Sequence, residues 1–365
     1  MYTILIVAAI LVSLVVIHEL GHFITAKLFG IHVEEFGVGY PPRAFTFGVW
    51  GGTEYTINWI PFGGFVRLWD EEKSTKNRSN GFAAAKPWKQ IVVLVAGVVM
   101  NLIVAWLLFA TALHTGVQRA INADSAKTDP HAMLTVTDVY PGSPAAAAGI
   151  KSGDSIISLV DPRGVALTNP TPTTLVKYVS ARGGVRLSIT YIHALDTITA
   201  TATPANAIIP NAPAQPALGI GTRFVSTLAL PWHEALYEGF FNTWDSLVTV
   251  SASLWELIVQ SVHGTADLNS IVGPIGLVGV VHDASQNGFG TVLALAAFIS
   301  INLALINSIP VPALDGGRVI LVLLEAIIRR KIPDILVQAI NLCGVVLIVL
   351  LMVIVTYHDV VRLFV

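Results

Sequence analysis

The residues of this sequence best suited to chemistry are His18, Glu19 and His22, in the stretch LVVIHELGHFITAKL (14–28). On a helix, a His-Glu-x-x-His run sets both imidazoles on one face, one turn apart, where they can share a metal ion. The glutamate between them is then placed to act as base toward a metal-bound water. Two histidines leave a catalytic zinc site one protein ligand short. Asp315, in NSIPVPALDGG (307–317), is the candidate third ligand, with two glycines behind it that let the backbone turn close to other elements. Blander readings stay open. The histidines could be hydrogen-bonded inside a helix bundle, and Asp315 could cap a helix beginning near Arg318.

The elements that must position these residues are apolar. The 365-residue chain is 54% hydrophobic and 12% charged, with a mean hydropathy of +0.70. An average soluble domain carries about 25% charge, so the composition points to an integral membrane protein. Four stretches approach the roughly 20 apolar residues that cross a bilayer: Thr3 to Phe29, Ile91–Leu113, Thr291–Ile309 and Ile335–Tyr357. The first lacks Lys or Arg at its N-terminal end, which argues against a cleaved signal peptide. Val319–Ile328 is too short to cross and reads as a helix packed on the bundle. An ionisable residue inside such a span is costly and functional by default, with a partner to be found.

Depth and charge place the candidates together. From Thr3 to His18 is roughly 22 Å along a helix axis, within a hydrocarbon layer about 30 Å thick. Lys and Arg number seven in 30–90 (Arg43, Arg67, Lys73, Lys76, Arg78, Lys86, Lys89), eight in the far longer 114–290, and four in the short 310–334. The positive-inside rule puts 30–90 and 310–334 in the cytoplasm, and both termini and 114–290 outside. His18 and Asp315 then lie toward the same, cytoplasmic face. The net charge of −2 and the lack of a basic cluster speak against nucleic acid, and the lone Cys343 cannot form an internal disulfide.

Between the spans, RAFTFGVWGGTEYTINWIPFGGFVRL (43–68) alternates apolar and polar residues around Gly51-Gly52 and Gly63-Gly64, which predicts a hairpin sheet with turns at both glycine pairs. Its aromatic residues suit a membrane interface. VTDVYPGSPAAAAGIKSGDSIISL (136–159) reads strand, turn, short alanine helix, turn, strand, and a further helix is predicted over Thr173–Ser180. TPANAIIPNAPAQPA (203–217) reads as a linker. From Trp232 to Val262, acidic residues among aromatics predict amphipathic helices on the outer membrane surface.

HELGH followed by NSIPVPALDGG resembles the site-2 protease family of intramembrane zinc metalloproteases. IPFGGFVRL (60–68) resembles the family's membrane-dipping sheet, AGVVMN (96–101) its second span, and GPIG (273–276) its motif ahead of the third. Residues 136–159 resemble the core of a PDZ domain of the bacterial protease type. The resemblance implies a polytopic α-helical membrane protein with about four transmembrane helices, a membrane-associated β-sheet and an inserted extracytoplasmic PDZ-like α/β domain. The chain then divides into a first membrane helix (1–29), a cytoplasm-facing β region (30–90), a second helix (91–113), the PDZ-like domain and linker (116–228), outer-surface helices (229–290), a third helix with the LDGG segment (291–334), and a fourth with the C-terminus (335–365).

The resemblance assigns zinc to His18, His22 and Asp315 and the catalytic role to Glu19. It makes Asn302 and Asn307 holders of the substrate backbone and sets Gly63 and Gly64 at the substrate-binding sheet. The implied location is the cell inner membrane. The implied partners are the lipid bilayer, single-pass transmembrane substrates such as anti-sigma factors or remnant signal peptides, and peptide termini at a PDZ groove whose carboxylate loop is sought near Ala132–Leu134. Two rivals are weighed: a membrane-anchored PDZ scaffold with a vestigial metal site, and a transporter using intramembrane Asp, Glu and His. The first should have lost one of the four site residues, and none is missing. The second would show two similar halves with matched broken helices, and the sequence shows none.

Overall fold

The computed structural model describes residues 2–364 except 69–80, 131, 194–195, 207–214, 265–272 and 287. Lys73, Lys76 and Arg78 of the charge count, and the middle of the expected linker 203–217, therefore lie outside the described residues. In chain order the elements are α1 (Tyr2–Leu28), β1 (Val33–Trp50), β2 (Thr53–Leu68), α2 (Pro87–Thr115), β3 (Val117–Ile121), α3 (Ala123–Thr128), β4 (Met133–Val139) and α4 (Pro144–Ala147). There follow β5 (Ser155–Val160), β6 (Ala166–Thr168), α5 (Pro172–Ser180), β7 (Leu187–His193), β8 (Asp196–Ala202) and β9 (Ile220–Leu228). The last five are α6 (Trp232–Val262), α7 (Pro274–Gln286), α8 (Phe289–Ser308), α9 (Asp315–Ile328) and α10 (Asp334–Phe364). Two compact units result, one of residues 1–111, 232–285 and 292–365, the other of 112–231 and 286–291.

In the first unit, α1, α2, α8 and α10 are each long and apolar enough to cross a membrane, matching the four expected spans. A helix satisfies its own backbone, which is what lets it stand in hydrocarbon. Gly21 of α1 meets α2 so closely that a Cβ there would lie 2.5 Å from the Ala96 carbonyl oxygen. Small residues at such a crossing let two membrane helices approach and gain packing contacts. Ala105 and Phe109 of α2 and Ala297 and Ile301 of α8 form a second apolar contact. The segment 232–262 is a single helix. It packs on α2 through small residues, with Gly239 against the Ala110 backbone and the Trp106 indole donating to the Leu236 carbonyl at 2.8 Å.

The sheet of this unit begins ten residues earlier than the alternation at 43–68 suggests. Strands β1 and β2 are each bent double, so Val33–Val38 pairs with both Gly64–Leu68 and Glu54–Ile57, while Arg43–Trp50 flanks the other side of Thr53–Asn58. Gly51 and Gly52 form the expected turn, with φ of 58° and 78°. Gly63-Gly64, predicted as a second turn, falls within the bounds of β2, where that strand doubles back between Asn58 and Gly64. The chain does reverse there: Glu54–Ile57 runs alongside Glu35–Val38 in the same direction and Gly64–Leu68 in the opposite one, with Gly63 at a positive φ of 84° in the connection. Buried Glu35 ties the segments together. Its carboxylate accepts from Thr56 Oγ1 at 2.7 Å, Arg67 Nη1 at 2.9 Å and Arg43 Nη2 at 3.1 Å.

The second unit is an antiparallel sheet ordered β3-β9-β4-β5-β7-β8, with β6 beside β5. Its core gathers Leu134, Val136, Leu159, Leu175, Leu187 and Ile189. Both helices start where the sequence supplies caps. Ser143 caps α4, and Thr171 and Thr174 form a capping box on α5. Strand β9 follows the expected linker and falls within the expected 116–228 range, although the sequence reading assigned no strand there. It pairs with β4 along its first two-thirds and with β3 only from Phe224 onward. Ala132–Leu134, where the peptide-binding loop is sought, lead into β4, which pairs with β9 along its length and with β5 at Leu134 and Thr135. Among the described residues, the strand edge left open near α5 is Ile220–Arg223 of β9.

Candidate metal centre

His18 and His22 lie one turn apart on α1, 4% and 7% exposed, and turn both Nε2 atoms to the same point. These atoms are 3.1 Å apart. Asp315 Oδ2 completes the triangle at 2.9 Å from His18 Nε2 and 3.1 Å from His22 Nε2. Three ligands about 2.0–2.1 Å from a tetrahedral zinc would stand about 3.3 Å from one another. The ion therefore fits with a shift of a few tenths of an ångström. The protonation pattern fits too. His22 Nδ1 donates to the Val93 carbonyl at 2.8 Å, which leaves Nε2 as a lone pair for a metal.

The local sequence explains why the three meet. Gly97 of α2 lies under both rings, where a Cβ would come within 2.6 Å of His22 Cε1 and Nε2 and 2.7 Å of His18 Cε1. Only a residue without a side chain leaves that space. Pro310 and Pro312 end α8, and Ala313 takes a left-handed φ of 75°. The Ala313 N–H donates to Asn341 Oδ1 of α10 at 3.3 Å. Gly316 and Gly317 then let α9 start directly against the 308–312 backbone, where a Cβ would lie 2.4 Å and 2.2 Å from carbonyl oxygens. Asp315 is the first residue of α9, whose N-cap is Leu314 without a side-chain bond, so the capping alternative for Asp315 falls away. Its carboxylate is turned to the histidines.

With that geometry in place, the comparisons are direct. Residues 6–351 match peptidase family M50. The chain belongs to that family. A Clostridium perfringens protein carrying the name zinc metalloprotease is 35% identical over 359 residues, covering 96% of each chain. One from Clostridium acetobutylicum, similarly named, is 31% identical over 353 residues, covering 95% of this chain and 94% of its own. A third, from Campylobacter jejuni, is 28% identical over 372 residues, covering 99% and 95%.

Around the candidate ligand triangle of this M50 family member, the other expected residues sort unevenly. Glu19 follows His18 on α1 and lies beside β2: a Cβ at Gly64 would be 3.6 Å from Glu19 Cγ and 3.5 Å from Val16 Cγ2. Asn307 reaches the cluster, its Nδ2 3.5 Å from His18 Nε2. Asn302 does not. It is half-buried, and its amide donates to the Phe298 carbonyl at 2.8 Å. Gly63 lies against Tyr40. Three contributors from α2 escaped the sequence reading: Val93, Gly97 and Asn101. Only Asn101 carried a signal, as the one strongly polar residue of the second span.

Proposed function

We propose that this chain is a zinc metallopeptidase that cuts a peptide bond within or near a membrane-spanning segment, with His18, His22 and Asp315 as ligands and Glu19 as general base. The observation that carries this is the triangle of ligand atoms, 2.9–3.1 Å on a side, drawn from two segments far apart in sequence and set on a helix apolar enough to span a bilayer. Zinc in that position supplies a Lewis acid that lowers the pKa of a bound water and polarises a carbonyl. Glu19, one residue from His18, is placed to take a proton there and deliver it to the leaving amide nitrogen. A substrate helix hides its amides, so it must unwind to be cut. The outer edge of Gly64–Leu68, paired on its other side with β1, offers backbone groups for an extended segment beside Glu19. Asn307 would hold the segment from the α8 side, and Asn302 would join it only after its amide leaves Phe298.

The second unit is read as the PDZ-like domain, outside the inner membrane by the Lys/Arg asymmetry. Its peptide-terminus site is placed at the open Ile220–Arg223 edge beside α5, and its role is to admit substrates already shortened on that side. The decisive test of the chemistry is Glu19→Gln. Zinc content should stay at wild-type level while cleavage of a transmembrane reporter falls about 10²–10⁴-fold, as for loss of a general base. Cleavage within a few-fold of wild type removes Glu19 from the mechanism.

A further inference from the structure

Asn101 lies on α2 with no exposed surface, and one end of its side chain is dedicated to a metal ligand: Nδ2 is 3.1 Å from His18 Nδ1. The other end, Oδ1, has no hydrogen-bond partner among the described residues. Nothing but His18 therefore sets which way the amide faces. An imidazole that coordinates through Nε2 carries its proton on Nδ1, and that N–H needs an acceptor. A half-turn about its Cβ–Cγ bond leaves the shape of Asn101 unchanged and brings Oδ1 to Nδ1. His22 already has the equivalent acceptor in the Val93 carbonyl. The backbone of Asn101 is fixed from the far side by Ser300, fully buried on α8, whose Oγ donates to its carbonyl at 2.8 Å.

We propose that Asn101 is a positioning residue of the metal centre: its amide oxygen accepts from His18 Nδ1–H and holds that imidazole in the tautomer that leaves Nε2 free for the ion. This rests on the zinc reading of His18, His22 and Asp315. Helix α2 then orients both ligand imidazoles, one by a backbone carbonyl and the other by a side chain.

Zinc affinity, measured by competition with a chelating dye on full-length protein, tests it. Asn101→Ala and Asn101→Leu should each bind zinc about 10–100-fold more weakly. Asn101→Asp, nearly isosteric and still an acceptor, should stay within a few-fold of wild type. Its cobalt-loaded form should show shifted absorption bands, because a carboxylate makes His18 a stronger donor. Zinc-free thermal melts establish which variants fold, and the aspartate variant carries the test if the others do not. Wild-type affinity in the leucine variant, a tenfold or greater loss in the aspartate variant, or an unshifted cobalt spectrum overturns the proposal. Wild-type protein that binds no zinc sinks the metal reading itself, whatever Asn101 does.

Discussion

Asp161, in the sheet unit, accepts from the backbone N–H groups of Arg163 and Val165, both at 2.9 Å, and from Arg182 Nε at 3.0 Å. Glu35, in the membrane unit's sheet, is saturated in the same way by two arginines and a threonine. Asp315 is as well placed to be structural, yet it faces two imidazole nitrogens that face each other at 3.1 Å. In the first two cases every contact pairs a fixed donor with a fixed acceptor. In the third, three atoms that can each offer a lone pair to a metal converge on one point. Buried polar groups are ordinarily paired, so this difference separates a carboxylate with fixed donors from one whose surroundings suit a metal.

The largest effect should come from removing that third atom. Purified wild type should contain about one zinc per chain, and Asp315→Ala should lose most of it, because two imidazoles alone make an incomplete site. Asp161→Ala should leave the metal content unchanged. Metal analysis of both variants reads the contrast directly. Full zinc in the Asp315 variant would place the third ligand elsewhere and dissolve the distinction between the two carboxylates.

A smaller effect should follow from crowding the ligands without removing one. In Gly97→Ala the new methyl would sit 2.6–2.7 Å from ring atoms of both histidines, closer than real Cβ contacts allow. Neither ring can swing away freely, since Val93 and Asn101 hold them from the same helix. Overpacking of this kind costs about 1–3 kcal/mol. Zinc affinity should fall by tenfold or more, with a lower melting temperature. Unchanged affinity would mean that the α1–α2 contact does not shape the site.

What was legible in the sequence divides along the same line. His18, Glu19, His22 and Asp315 could be read because helical spacing and a proline-broken span are local signals. Val93 could not, because it acts through a backbone carbonyl that any residue carries. Gly97 matters only through a contact across two helices. Gly51-Gly52 and Gly63-Gly64 are legible as reversals because each draws on the left-handed freedom of glycine, while the doubling back of β1 between Val38 and Arg43 is not announced by a glycine pair. Strand β9 was hidden for another reason. Its partners β3 and β4 lie about a hundred residues upstream, and strand pairing at that distance leaves no period in the sequence.

The smallest predicted effect concerns the carboxylate that holds the fold. Burial alone would push the Asp161 carboxyl up, but Arg182 and the Val165 and Arg163 N–H groups together hold it below the ordinary aspartate value. A depressed carboxyl stabilises the folded form wherever the unfolded aspartate is already ionised, that is, above its reference value of about 3.9. That contribution is complete at neutral pH and is lost as pH falls through the folded value. Amide hydrogen exchange of β5, which the Asp161 turn directly follows, and of β7, which pairs with it, should therefore accelerate in acid. In Asp161→Asn the side-chain oxygen still accepts from the backbone, but the charge opposite Arg182 is gone. Exchange in β5 and β7 should rise at neutral pH and respond less to acid, while zinc content stays at wild-type level. An acid response as steep as wild type would mean that Asp161 is not its source. A loss of zinc in this variant would show that the two carboxylates are coupled rather than opposite in kind.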